Sequence, residues 1–214
     1  MDFILSVFRL MAERKTLIYE TLLQHIGISL TAVLFIALVG IPLGILISRH
    51  PKMATPIIYI TGILYTIPVL ALFGFMIPIL GIGSRPTLFA LFIYGLLPLV
   101  RNTYVGITGV DRSVIEAARG MGSTPRQLLL NIELPLALPV IIAGLRTVVV
   151  MTISVATIAA FIGAGGLGVL IFRGITTYNT QLTVAGSILV AVLAVGADGI
   201  LGFIEKKLLQ KIKV

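Results

Sequence analysis

The chain has 214 residues, of which 58% are hydrophobic and only 11% charged, with a net charge of +8. Its mean hydropathy is +1.13, against roughly 25% charged residues in an ordinary soluble domain. A soluble enzyme, a disordered chain and a nucleic-acid-binding domain are therefore excluded. The sixteen Lys and Arg lie mostly at the ends of apolar runs, which suits a membrane orientation signal better than a polyanion partner. There is no cysteine, so disulfides, thiolate metal sites and thiol nucleophiles are absent. His25 and His50 lack metal-ligand spacing, and no Lys follows a Gly, so no P-loop exists.

In chain order, Met1 to about Glu20 starts with Phe3, Ile4, Leu5, Val7 and Phe8, then turns charged at Arg9, Glu13, Arg14 and Lys15. It lacks a small-residue cleavage site and reads as an amphipathic interfacial helix or as a frayed tail. Five long apolar segments follow: Leu22 to Ser48, Pro56 to Leu80, Thr87 to Gly106, Leu136 to Phe161 and Leu182 to Phe203. A span needs ~20 apolar residues. Backbone amides in hydrocarbon must find partners within the structure, so the spans are helices. The predicted fold class is an all-α membrane protein with five transmembrane helices. The organisation is an N-terminal segment 1–20, a transmembrane domain 21–205 whose long polar loop is 108–135, and a basic tail 206–214.

Arg49, Lys52, the stretch from Arg101 to Arg126, Lys206, Lys207, Lys211 and Lys213 fall on one side of such a bundle. Arg9, Arg14, Lys15, Arg85 and Arg173 fall on the other. The larger group marks the cytoplasmic side, so the N-terminus is expected outside and the C-terminus inside the cell. Pro42, Pro68, Pro78 and Pro98 interrupt the spans. They bend helices that line a moving pathway, or are simply tolerated. Gly40 and Gly44 form a small-x-x-x-small pair that lets two helices approach closely.

The polar stretch from Thr108 to Pro135 carries the most specific signal. Glu116-Ala117-Ala118 is followed by three residues and Gly122, then after nine more by Ile132, one residue, and Leu134-Pro135. With seven specified positions at roughly one in twelve each, a chance match is of order 10^-8 per start position. Asp111 and Ser113 are N-cap candidates, and Glu116 stands three after Ser113 as in a capping box. Ile115, Ala118 and Arg119 lie on adjacent turns. Gly120 and Gly122 stop the helix, and Ser123 or Thr124 starts a second one with Pro125 in its first turn. The expectation is a rigid two-helix knob below the membrane, able to dock in a groove of another protein.

This E-A-A-x3-G-x9-I-x-L-P pattern resembles that of ABC importer permeases of the type I, binding-protein-dependent fold. The likeness runs from about Leu22 to Phe203. Three further stretches carry it: Thr66-Ile67-Pro68-Val69-Leu70-Ala71-Leu72, Leu97-Pro98-Leu99-Val100-Arg101-Asn102-Thr103, and Gly163-Ala164-Gly165-Gly166-Leu167-Gly168. The nearest resemblance is to permeases of glycine betaine, carnitine and choline importers. Methionine-importer permeases share the span number and the glycine stretch. The resemblance implies that Ser113, Glu116, Ala117, Ala118, Arg119, Gly120, Gly122, Pro125, Leu134 and Pro135 couple the permease to an ATPase subunit. It implies two ATPase subunits, which hold ATP and Mg because this chain has no cofactor of its own. It also implies a second permease copy or paralogue and a separate extracytoplasmic substrate-binding protein.

Gly163, Gly165 and Gly168 satisfy G-x-G-x-x-G, but without the strand and βαβ unit a dinucleotide site needs. Gly163, Gly165, Gly166 and Gly168 read instead as a re-entrant turn at the outer mouth, followed by a short helix through Ile171. That turn would serve as a gate, as a docking edge for the binding protein, or as a tight loop only. Pathway candidates are Tyr65, Pro68, Phe73 and Tyr94, although core packing explains the aromatics as well. Phe75 is a further mid-membrane aromatic. Arg146 and Asp198 reach similar depths on antiparallel spans, so they pair or snorkel separately. A secondary transporter would need a mid-membrane ionic relay, which these few charges do not form.

Overall fold

The computed structural model describes residues 2–212, and among them every regular element is helical. Helix α1 (Asp2–Glu13) buries Val7 and packs against the last helix. Its exposed side carries Phe3, Ile4, Leu5 and Phe8. Residues 2–13 are thus a docked amphipathic helix and not a frayed tail, whereas Lys15 to Glu20, expected in the same segment, form the first turns of the next helix. α2 (Lys15–Arg49) has 35 residues, or ~52 Å at 1.5 Å per residue, so it outreaches a ~30 Å hydrocarbon core. It runs unbroken through Pro42.

The second apolar segment is not one straight helix. It forms α3 (Pro51–Thr66) and α4 (Val69–Leu80), bent by 93° at the break. Pro68 causes the break. A proline drives the preceding residue out of the helical region, and Ile67 is extended at φ −67°, ψ 124°. The carbonyl of Ile67 accepts the hydroxyl of Tyr94, so the break stays satisfied away from water. Four helical stretches are long and apolar enough to cross a membrane, and α3 and α4 meet the same test when taken together, which makes five where the bent pair counts as one span.

α5 (Ser84–Thr108) is the central helix and packs against α2, α3, α4 and α8. The Pro98 ring is accommodated within it. In lipid the hydrophobic effect does not drive helices together, so close backbone approach has to supply the attraction. Gly40 and Gly44 of α2 fulfil this: a Cβ on Gly40 would stand 3.1 Å from Leu99, and one on Gly44 only 2.5 Å from Thr103 of α5. Ala32, Ile36, Leu91, Leu99, Val148 and Ala156 form the core between α2, α5 and α8.

The chain then makes α6 (Arg112–Gly120), α7 (Pro125–Leu128), a π-helical turn (Leu129–Glu133) and α8 (Leu134–Ala156). The fourth span is continuous with the end of the polar loop, from Pro125 to Ala156. A 3-10 turn (Ile158–Ile162), α9 (Gly168–Thr176) and α10 (Thr180–Ile212) complete the fold. The basic tail continues α10 as helix through Ile212. Lys213 and Val214 lie outside the described residues, as does the side chain of Lys211.

Candidate functional site

The knob is built as a helix, an elbow and a second helix. Asp111 Oδ1 accepts the Ser113 N–H at 2.8 Å and caps α6. The Ser113–Glu116 capping box expected from spacing does not form, because the helix starts one residue before Ser113. The capping box sits at the second helix. Thr124 Oγ1 accepts the Gln127 N–H at 3.3 Å, and Gln127 Oε1 accepts the Thr124 N–H at 2.9 Å. Pro125 occupies the first turn of α7, where its missing N–H costs nothing.

Gly122 adopts φ +87°, a conformation that a Cβ disfavours. Its N–H donates to Arg119 at 2.9 Å and the Ser123 N–H donates to Ala118 at 3.0 Å, the paired bonds of a Schellman stop. Gly120 is the last residue of α6 and has no positive φ, so only one of the two glycines is a turn residue. Ala118 and Leu128 are both 2% exposed and lie inside the knob, which fixes α6 against α7. Glu116, Ala117, Arg119, Gly120, Gly122 and Pro125 are exposed, as is Ser113. Met121 is 82% exposed at the tip. Hydrogen bonding from the Ser113 amide holds the Asp111 carboxyl below the usual carboxylate range.

Leu134 and Pro135 are not in the knob. They open α8, next to the π-helical turn that ends at Glu133. Glu133 is 3% exposed, and both of its oxygens accept from the Arg49 guanidinium at the end of α2. This fork-to-fork pair ties α2 to the knob's second stem. It went unread in the sequence, where the one signal is a lone acid inside an otherwise apolar I-x-L-P stretch.

The glycine stretch is a largely buried turn. Gly163, Gly165 and Gly166 have φ of +77°, +81° and +78°. Gln24 Oε1 accepts the Gly166 N–H at 3.2 Å, and His25 Nδ1 accepts the Leu167 N–H at 3.2 Å. His25 Nε2 lies 3.0 Å from the Ile153 carbonyl. A ring that accepts at Nδ1 must donate at Nε2, so a single tautomer serves both bonds. Gly168 lies directly beneath the Thr157 carbonyl, where a Cβ would stand 2.0 Å from the oxygen. Gly163 is exposed, whereas Gly166 and Gly168 face inward. α9 extends to Thr176, past the expected end at Ile171.

The pathway candidates separate. Tyr65 and Tyr94 have ring centroids 5.6 Å apart, and the Tyr65 hydroxyl faces Met151 Sδ at 3.7 Å. Pro68 is exposed at the break. Phe73 does not line an open surface: it is 2% exposed, packed with Leu72, Ala90, Ile93 and Ala159. The α3–α4 bend turns it inward.

Arg146 and Asp198 stand together. Nε lies 3.0 Å from Oδ1 and Nη2 lies 2.8 Å from Oδ2. Glu205 joins them at 2.6 Å from Nη1. That third member is not among the residues the sequence singles out, although its seven-residue spacing from Asp198 puts both on one helix face. Among the described residues, no cluster of three or more His, Asp or Glu is placed to hold a metal ion.

Comparison with known proteins agrees with this geometry. Residues 40–210 match the family described as binding-protein-dependent transport system inner membrane component. The carnitine transport permease protein OpuCB of Listeria monocytogenes is 47% identical over 88% of this chain and 86% of its own. The choline transport system permease protein OpuBB of Bacillus subtilis is 46% identical over 90% and 88%. In fold, the inward-facing MetNI methionine ABC transporter matches with a TM-score of 0.83 at 22% identity, over 92% of this chain and 98% of that one. This chain, a multi-pass helical membrane protein, belongs to the family of binding-protein-dependent transport system inner membrane components.

Proposed function

We propose that the chain is the permease subunit of an ATP-driven importer of quaternary ammonium osmoprotectants such as glycine betaine, carnitine and choline. The observation that carries this reading is identity of 46–47% over nearly the whole chain to carnitine and choline permeases. It partners two ATPase subunits, a second permease copy or paralogue, and an external substrate-binding protein. The N-terminus lies outside and the C-terminus in the cytoplasm. ATP and Mg belong to the ATPases.

In this reading the exposed face of α6 and the Met121 tip seat in the ATPase. When the ATPases close, the knob moves as one body because Ala118, Leu128 and two caps lock it internally. The Arg49–Glu133 pair and the continuous Pro125 to Ala156 stretch carry that motion into α2 and α8. The outer turn of Gly163 to Gly168, held by Gln24 and His25, rests on the same two helices and supplies the outer gate. Purified permease, reconstituted with its ATPase and binding protein, should take up labelled glycine betaine into liposomes only when ATP is supplied. ATP-driven uptake of methionine with none of any quaternary ammonium compound would overturn the assignment.

A further inference from the structure

Five arginines stand on or at the ends of spanning helices, Arg85 and Arg126 in first turns and Arg49, Arg101 and Arg146 farther along; only Arg49 and Arg146 have carboxylates among the described residues. Arg49 is held by Glu133, and Arg146 by Asp198 and Glu205. Arg101, on α5 seven residues before the helix ends at Thr108, has no acidic partner among the described residues. It lies ~10 Å along the helix from that end, at 1.5 Å per residue. A charge at such depth is retained where it faces a cavity or an ionic ligand.

Arg101 does face a cavity. It is exposed and sits where two open hollows meet between α3 and α5, one of about 580 Å³ and one of about 530 Å³. The first carries Thr55, Tyr59 and Tyr104, the second Tyr65 and Asn102. Tyr59 is 70% and Tyr65 40% exposed. The walls thus present one unpaired guanidinium among three phenol rings. A guanidinium fork matches a carboxylate with two charge-assisted hydrogen bonds. The face of a tyrosine ring attracts a methylated ammonium.

We propose that Arg101 is a specificity-determining residue of the import path: it binds the carboxylate of zwitterionic betaines while the tyrosines receive the ammonium head. Choline has the head and no carboxylate, so it passes the same groove without using Arg101. The inference rests on the osmolyte-import reading and adds to it a discrimination between two solute classes within the permease.

The test uses the complete transporter in liposomes, comparing the unchanged protein with Arg101→Gln and Arg101→Lys. Loss of a bidentate, charge-assisted contact should cut glycine betaine uptake by about tenfold while choline uptake falls less than about twofold. Arg101→Lys should restore part of the betaine rate. Equal loss for both solutes, or no loss for either, overturns the proposal. So does a betaine defect that follows the anionic lipid content of the vesicles, because Arg101 would then be anchoring a lipid phosphate.

A second measurement keeps the two readings apart. The chain has no cysteine, so Thr55→Cys gives a single thiol in the groove. Glycine betaine should slow its reaction with a maleimide, choline should not, and Arg101→Gln should abolish the protection. If the unchanged transporter takes up no quaternary ammonium solute yet protection is seen, the import reading falls and the groove stands. If uptake is normal and betaine gives no protection, the groove falls and the import reading stands.

Discussion

Arg146 holds two carboxylates at once, which decides what each substitution at that site costs. Asp198→Asn removes a bidentate partner but leaves Glu205 at 2.6 Å from Nη1, so the arginine keeps an anion. Arg146→Gln instead leaves two carboxylates close together with no cation between them, and like charges repel at short range. Thermal unfolding in detergent should rank Arg146→Gln below Asp198→Asn. The double variant should be milder than the sum of the two, as for residues in one network. Simple additivity would show that the three groups act separately. Asp111 gives a pH-dependent counterpart outside the membrane. The Ser113 amide favours its charged form and holds its pKa below the ordinary value. A carboxyl depressed in the folded state stabilises above its unfolded pKa, and that contribution fades as pH falls through the folded value. A spin label at Val114→Cys should therefore gain mobility only below the ordinary carboxylate range of about 4. Asp111→Asn, which keeps a capping oxygen, should remove the transition.

Among the elements, α2 against α5 is set by absence of side chain. A Cβ on Gly44 would lie 2.5 Å from Thr103 Cβ and 3.0 Å from the Val100 carbonyl. Gly44→Val must push the helices apart, at a cost of about 1–3 kcal/mol for an overpacked contact. Gly27→Ala on the same helix meets nothing within 4 Å and should be tolerated. Equal melting temperatures for the two variants would contradict close approach as the reason for Gly44. The knob depends on glycine differently. Nothing lies within 4 Å of a Cβ at Gly122, so Gly122→Val is penalised only by its φ of +87°, roughly 1–2 kcal/mol for a left-handed residue. That is too little to prevent insertion but enough to reshape the elbow. Gly122→Val should keep ATP hydrolysis and lose solute uptake, whereas Gly120→Ala, at an ordinary helical position, should remain coupled. Coupled transport in Gly122→Val would remove the elbow from the mechanism.

At the scale of the whole molecule, local signals were legible and distant pairings were not. Apolar length located the spans, and the spacing from Glu116 to Pro135 located the knob, because each depends on neighbours in sequence. Pro68 marked a bend, yet its 93° turn depends on Tyr94 reaching the freed carbonyl from another helix. Arg49 and Glu133 are 84 residues apart, and His25 meets Leu167 across 142, separations that no helical period encodes. For Phe73 the sequence leaves pathway and core packing both open, and the bend places it in the core. The same topology decides where orientation can be measured. Leu167 is fully buried, so a thiol there would report on nothing. Tyr178, between α9 and α10, is 93% exposed, and Met121 at the knob tip is 82% exposed. The proposed orientation puts the knob side, with its excess of Lys and Arg, in the cytoplasm. In a chain without cysteine, Tyr178→Cys should react with an impermeant maleimide added outside intact cells. Met121→Cys should react only after the membrane is opened. The reverse pattern would invert the topology and put the knob where no ATPase could reach it.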